Sequence, residues 1–177
     1  VFLNQLPRSD HPEFGNGWLL GANCCDYRRI RFKHGGGYTT GTQIPADEWA
    51  HVAATYSIDD QRLRLWINGE MSHERNMELD IGAADIPLIF GADRNDASTE
   101  ARHSIHGFLD EIRISSTVRY ASSFTPAYRH ESDADTLGLW HFDEGTGTTT
   151  DGASSNDHDA TLRNGASWST DAPHCSD

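Results

Sequence analysis

The sequence predicts an all-β chain folded as a sandwich of two antiparallel sheets. Three observations carry this expectation. Apolar residues do not recur at helical spacing over any long stretch, and Gly, Thr, Ser, Asn and Asp are spread throughout. Short segments alternate apolar and polar residues with period two. Turn residues separate those segments, and many short strands between turns pack as a sandwich. With 177 residues the chain can bury one good core, so a single domain over 1–177 is expected.

The elements follow in order. A first strand is placed over 18–23. Over 27–34, Ile30 and Phe32 share a face with Arg28 and His34, while Tyr27, Arg29, Arg31 and Lys33 take the other. A strand over 49–57 leads to one over 62–68, where Leu63, Leu65 and Ile67 point one way and Arg62, Arg64 and Trp66 the other. Asn68-Gly69 closes that segment with a strong hairpin signal. Further strands are expected over 86–90, 108–114, 137–143 and 159–163, with a short piece over 166–169 and one helical turn within 118–124. The longest irregular stretches are 5–16, 93–103 and 151–157, and loops of this kind often carry function.

Acidic residues number 27 and basic residues 14, a net charge of −13. Such a surface repels nucleic acid and anionic membrane, which carry the same sign. No apolar run is long enough to span a bilayer, so no membrane insertion is expected. The chain opens on Val1-Phe2-Leu3 rather than Met and reads as an N-terminally truncated or processed piece of a larger protein. Three cysteines, Cys24, Cys25 and Cys175, cannot all pair internally. Either Cys175 bridges one of the neighbouring pair, or all three are free thiols.

Three blocks carry a resemblance. The first is Glu48-Trp49-Ala50-His51-Val52-Ala53-Ala54-Thr55-Tyr56 followed by Leu63-Arg64-Leu65-Trp66-Ile67-Asn68-Gly69-Glu70. The second is Gly107-Phe108-Leu109-Asp110-Glu111-Ile112-Arg113-Ile114, and the third runs from Leu139-Trp140-His141-Phe142-Asp143-Glu144-Gly145 through Thr148. Together they resemble the laminin-G-like jelly-roll domains of the concanavalin A-like lectin and glucanase superfamily, with features similar to pentraxins. The resemblance implies a jelly roll. It also implies a secreted or surface-attached bacterial module that binds carbohydrate or extracellular protein. The third block usually opens such a module, whereas here it stands near the C-terminal end. The segment 136–169 is therefore expected to complete the same sandwich from that side, the alternative being the start of a second module.

Catalysis is not expected. Glucanase relatives on this type of fold set carboxylates at alternating positions of one strand, and a retaining pair lies about 5 Å apart. Asp110 and Glu111 are adjacent, so within a strand they would face opposite ways, with Asp110 bonding a turn and Glu111 on the outer face. No Gly-x-Ser-x-Gly elbow and no His-Glu-x-x-His zinc motif is present. His51, beside Trp49 and Ala53 on its strand face, reads as a packed residue.

Calcium is the metal that the residue types suit, because it prefers carboxylate and carbonyl oxygens supplied by loops. Asp93-Arg94-Asn95-Asp96 follows a strand-ending Gly91, and Asp26 lies at another turn. The pentraxin resemblance implies calcium ligation at Asp26, Asp93 and Asn95, with Asp96 adjoining. Asp151, Asn156 and Asp157 form a second oxygen-rich loop, where ordinary turn capping is the alternative. Finally, Arg29, Arg31, Lys33, Arg62, Arg64 and Trp66 all alternate away from apolar residues. If their strands share one sheet, they form a basic stripe with an aromatic, suited to sulfated or carboxylated glycans. The expected function is thus a non-catalytic binding module. An accessory domain of a glycosidase or sialidase and a structural adhesion repeat are the alternatives.

Overall fold

The computed structural model describes residues 2–5, 17–22, 28–34, 37–79, 87–94, 101–102 and 104–173. Among these there is no helix, and every strand pair is antiparallel. Among the described residues no helix is long and apolar enough to cross a membrane. The helical turn expected within 118–124 is absent, as is the short strand at 166–169. The chain divides into two compact units.

The first unit contains residues 1–106 and 120–125. Its larger sheet is built from β1 (Leu3–Asn4), β2 (Trp18–Ala22), β3 (Arg29–His34), β4 (Gly37–Gln43) and β8 (Ile89–Phe90), in the order β4-β3-β2-β1-β8. The smaller sheet contains β5 (Val52–Ser57), β6 (Arg62–Ile67) and β7 (Glu70–Asn76), with β6 in the middle. A short ribbon pairs β9 (Asp93–Arg94) with β10 (Ala101–Arg102). The hairpin signal between β6 and β7 is borne out. Asn68 and Gly69 both adopt positive φ, 50° and 80°, as a type I′ turn requires.

The core of this unit lies between the two sheets. Leu20, Ile30, Phe32 and Ile44 come from the larger sheet and its exit, and Leu63, Leu65 and Ile67 from β6. Period-two alternation produces both halves, because each strand sends every second side chain inward. Two strands of the unit carry no such pattern, β4 (Gly-Tyr-Thr-Thr-Gly-Thr-Gln) and β7 (Glu-Met-Ser-His-Glu-Arg-Asn). They close one side of the sandwich. Ser72 Oγ on β7 accepts from Thr42 N at 2.6 Å and shares a hydrogen bond with Thr42 Oγ1 at 2.8 Å. Gly41 permits that approach, since a Cβ there would collide with Ser72 Oγ and meet Ile30 Cγ2 at 2.8 Å.

The second unit contains residues 107–119 and 126–177. In it β11 (Ile112–Ser115) pairs with β12 (Thr136–Trp140), and β13 (Thr149–Thr150) with β14 (Ala160–Thr161). Leu139 and Trp140 are buried, and Trp140 Nε1 donates to His158 O at 2.6 Å. The 151–157 loop is occupied with turn chemistry. Asn156 Nδ2 and Ser154 Oγ both donate to Leu137 O, and Asp151 N donates to Glu144 Oε1.

Candidate functional site

The six residues expected to form one basic stripe do not share a face. β3 belongs to the larger sheet and β6 to the smaller, and both turn their apolar residues into the same core. Their outward side chains therefore leave opposite sides of the sandwich.

On the β6 side the expectation fails further. Trp66 has no exposed surface. Residues 120–125 run over that face and seal it. Phe124 N donates to Gly69 O at 3.1 Å, and Ser123 Oγ donates to Glu70 Oε2 at 2.9 Å. Tyr120 and Phe124 stack on one another and meet the Trp66 ring edge-on at 6.5 and 5.7 Å. His51 joins the same aromatic cluster edge-on, as expected of a packed histidine. Trp66 Nε1 donates to Thr55 Oγ1 at 3.1 Å, so its polar atom is satisfied within the cluster. The arginines are neutralised in place. Glu74 Oε2 lies 2.7 Å from Arg64 Nε and 3.7 Å from Arg62 Nη1, and Arg62 Nε also donates to Asn76 Oδ1.

The β3 side is different. Arg29, Arg31 and Lys33 stand on its outer face, and β4 adds Tyr38, which pairs in register with Lys33. Tyr38 is 58% exposed, and the Arg31 guanidinium carbon lies 4.3 Å from the centroid of its ring. A guanidinium over an aromatic face is held by the ring quadrupole, which orders both groups before any ligand arrives. Arg31 and Lys33 make no ion pair with any described residue, and the buried Arg31 Nε has no hydrogen-bond partner. Arg29 Nη1 donates to Gly41 O at 3.4 Å. The next residue, His34, turns to the inner face beside Phe32, with its Nε2 buried. Burial, and then the nearby charge of Arg75, lower its pKa, so it adds no positive charge near neutral pH. Sequence reasoning missed Tyr38 because β4 has no apolar alternation. The signal available was a β-forming Tyr-Thr-Thr run directly after a glycine turn.

Of the four expected calcium ligands, Asp26, Asn95 and Asp96 lie outside the described residues. So do Cys24, Cys25 and Cys175. Asp93 sits in β9, opposite Arg102. Among the described residues no group of three or more His, Cys, Asp or Glu side chains is arranged to hold a metal ion.

In the second unit the Asp110-Glu111 pair lies just before β11. Glu111 has a φ of 51°, so strand alternation does not apply to it. Its side chain is not on an open outer face either, being only 11% exposed. It accepts from His130 N at 2.8 Å and His141 Nδ1 at 2.7 Å, and Arg129 Nη1 stands 3.6 Å away. Arg129 also pairs with Asp143 at 2.6 Å. Asp110 Oδ1 accepts from Glu111 N at 2.9 Å, the turn bond expected of it. Burial pushes the Asp110 carboxyl above its ordinary pKa, opposed by that backbone bond and reinforced by Glu111 and Asp143. Glu111 thus joins the start of β11 to the 129–143 segment, while Asp110 closes the turn just before it.

A family model described as the concanavalin A-like lectin/glucanases superfamily (Laminin_G_3) matches residues 6–123. No curated protein matches the chain by sequence. Among solved structures, the chain is similar to a "putative carbohydrate binding protein" from Bacteroides ovatus, with a TM-score of 0.56 and 16% identity. The alignment covers 96% of this chain and 54% of that one. At that identity the likeness is one of fold.

Proposed function

Because the chain belongs to the Laminin_G_3 family of the concanavalin A-like lectin/glucanase superfamily, we propose that it is a non-catalytic carbohydrate-binding module of a secreted or cell-surface protein. Its sugar-binding surface is the outer face of the larger sheet, around Tyr38. The observation that carries this is the exposed Tyr38 ring with Arg31 ordered over it at 4.3 Å. An exposed aromatic offers an apolar platform to a sugar ring, and flanking cations offer hydrogen-bond donors to its oxygens. The description of the Bacteroides ovatus protein supports the same ligand class.

Absence of catalysis rests on the engagement of Asp110 and Glu111, each of which serves as an internal acceptor. The 136–169 segment belongs to this module in our reading, because β12 pairs with β11, which lies inside the family match. Calcium remains part of the proposal through the acidic loop sequence alone. At a calcium concentration about 100-fold above its Kd, a bound ion stabilises by about 2.7 kcal/mol. That corresponds to a rise in Tm of roughly 5–11 °C for a chain of this size. Asp93→Ala should remove most of the rise, and no shift at millimolar calcium withdraws the metal from the proposal.

The test of the module itself is a glycan array probed with the wild-type chain and Tyr38→Ala. Retained glycan signals that Tyr38→Ala abolishes are the expected result. A chain that binds no glycan leaves the structural-repeat reading in its place.

A further inference from the structure

Resting on the carbohydrate-binding reading, we infer that the ligand taken on the Tyr38 face is an acidic glycan, one bearing carboxylate or sulfate groups. The argument compares two outer faces of one small unit. Both carry arginines at alternating positions of a strand. On β6, Arg62 and Arg64 are answered by Glu74 from the neighbouring strand. On β3, Arg31 and Lys33 have no such answer among the described residues. This asymmetry occurs in a chain with 27 acidic residues against 14 basic ones, where a carboxylate partner is the ordinary outcome for a cation.

The arrangement also costs free energy in the unbound protein. The backbone positions of Arg31 and Lys33 lie two residues, about 6.7 Å, apart along the strand. Like charges inside the Debye length of about 8 Å repel one another. A neutral sugar does nothing to relieve that repulsion, whereas an anionic group relieves it on binding. Arg31 is the best placed to receive one. Its guanidinium is already ordered against Tyr38, and a planar fork suits carboxylate or sulfate oxygens. Tyr38 lies opposite Lys33 in register, so a ring stacked on Tyr38 brings its substituents to both cations. From Arg29 to Lys33 the strand extends about 13 Å, room for a short run of sugar residues rather than a single one.

The experiment is calorimetric titration of the full chain with polygalacturonate, dextran sulfate, neutral dextran and polyglutamate. Arg31→Gln, Lys33→Gln, Tyr38→Ala and, as control, Arg64→Gln are titrated in parallel. The expected result is binding of polygalacturonate or dextran sulfate, weakening with added salt, and little or none of dextran. Arg31→Gln and Lys33→Gln should each weaken it about fivefold, the scale of an exposed charge contact. Tyr38→Ala should weaken it about tenfold or more, as expected for an aromatic anchor. Arg64→Gln should leave it unchanged. All four side chains are at least partly exposed, so unchanged circular dichroism and melting should accompany these effects. Binding of neutral glycans that depends on Tyr38 but not on Arg31 or Lys33 overturns the acidic-ligand inference and leaves the module reading standing. Failure to bind any glycan overturns both. Equal binding of polyglutamate, or acidic-glycan binding untouched by the three face variants, also overturns the inference.

Discussion

Trp66→Ala separates the buried aromatic of this unit from its exposed one. Trp66 is wholly enclosed, so truncation forfeits its full burial. A tryptophan buries roughly 150–250 Å², which at about 25 cal/mol per Å² amounts to about 4–6 kcal/mol. That figure is an upper bound, because unfolded chains already bury some apolar surface. Measured truncations of buried Phe or Trp fall at about 3–5 kcal/mol, and we expect about 4 here. Tyr120 and Phe124 would lose their edge-on partner, and Thr55 Oγ1 would lose its donor. Trp66→Phe isolates the last effect, because a ring remains while the hydrogen bond, worth about 1 kcal/mol, goes. Urea titration followed by circular dichroism measures both. Expressed as melting temperature, Trp66→Ala should fall roughly 8–16 °C. Tyr38→Ala, by contrast, should move stability by less than about 0.5 kcal/mol, as exposed substitutions do. A Trp66→Ala chain within about 1 kcal/mol of wild type would refute the sealed face. Loss of glycan binding with stability intact would place Trp66 on the surface after all.

Three other perturbations have defined outcomes. Gly41→Ala should cost about 1–3 kcal/mol, because the added carbon meets Ser72 and Ile30 where β4 approaches β7; an unchanged urea midpoint would mean the two strands can separate freely. Glu111→Gln turns an amide donor toward His130 N, His141 Nδ1 or Arg129 and should cost about 2 kcal/mol; a change below about 0.5 kcal/mol in urea unfolding would deny that this carboxylate joins the segments. Arg119 grips both carboxylate oxygens of Asp133 at 2.5 Å and, with Thr136, holds that carboxyl well below the usual range. Its folded pKa lies below its unfolded one, so the stability it contributes is present above the unfolded value of about 3.9 and is lost as pH falls toward the folded value. Asp133→Asn should flatten the acid limb of a melting-temperature-against-pH profile below about pH 4, and an identical limb would exclude the clamp.

Much of the fold was legible because burial imposes a rhythm. Ile30 with Phe32, and Leu63 with Leu65 and Ile67, alternate because each strand has one face in the core. Asn68-Gly69 was legible because few residue pairs tolerate two successive positive φ angles. β4 and β7 were not legible. They sit at the sheet edges and touch through Thr42 and Ser72, so hydroxyls and a glycine replace apolar alternation. The candidate site was half legible. Arg29, Arg31 and Lys33 were placed correctly on an outer face, but Tyr38 lay in the unrecognised strand. Glu111 misled for a local reason, since its left-handed backbone ends the alternation one residue before β11 begins.

Alternation decides which way a side chain points and nothing about what then covers it. Arg64 and Arg31 occupy equivalent positions, each one residue from a buried apolar neighbour on either side. They differ through partners distant in sequence. Glu74 arrives from β7 and the 120–125 segment seals Trp66 close by, while β4 brings Tyr38 to Arg31. One face is completed by the chain itself, its charges paired and its aromatic enclosed. The other presents an aromatic to solvent with cations around it. Water hydrates those cations well, but it gives the exposed part of the Tyr38 ring no apolar contact, and it weakens without cancelling the repulsion along β3. A ligand that supplies the contact and cancels the repulsion must combine an apolar ring face with anionic substituents at its edge. A uronic or sulfated sugar has that combination, whereas a neutral sugar lacks the charge and a simple anion lacks the face.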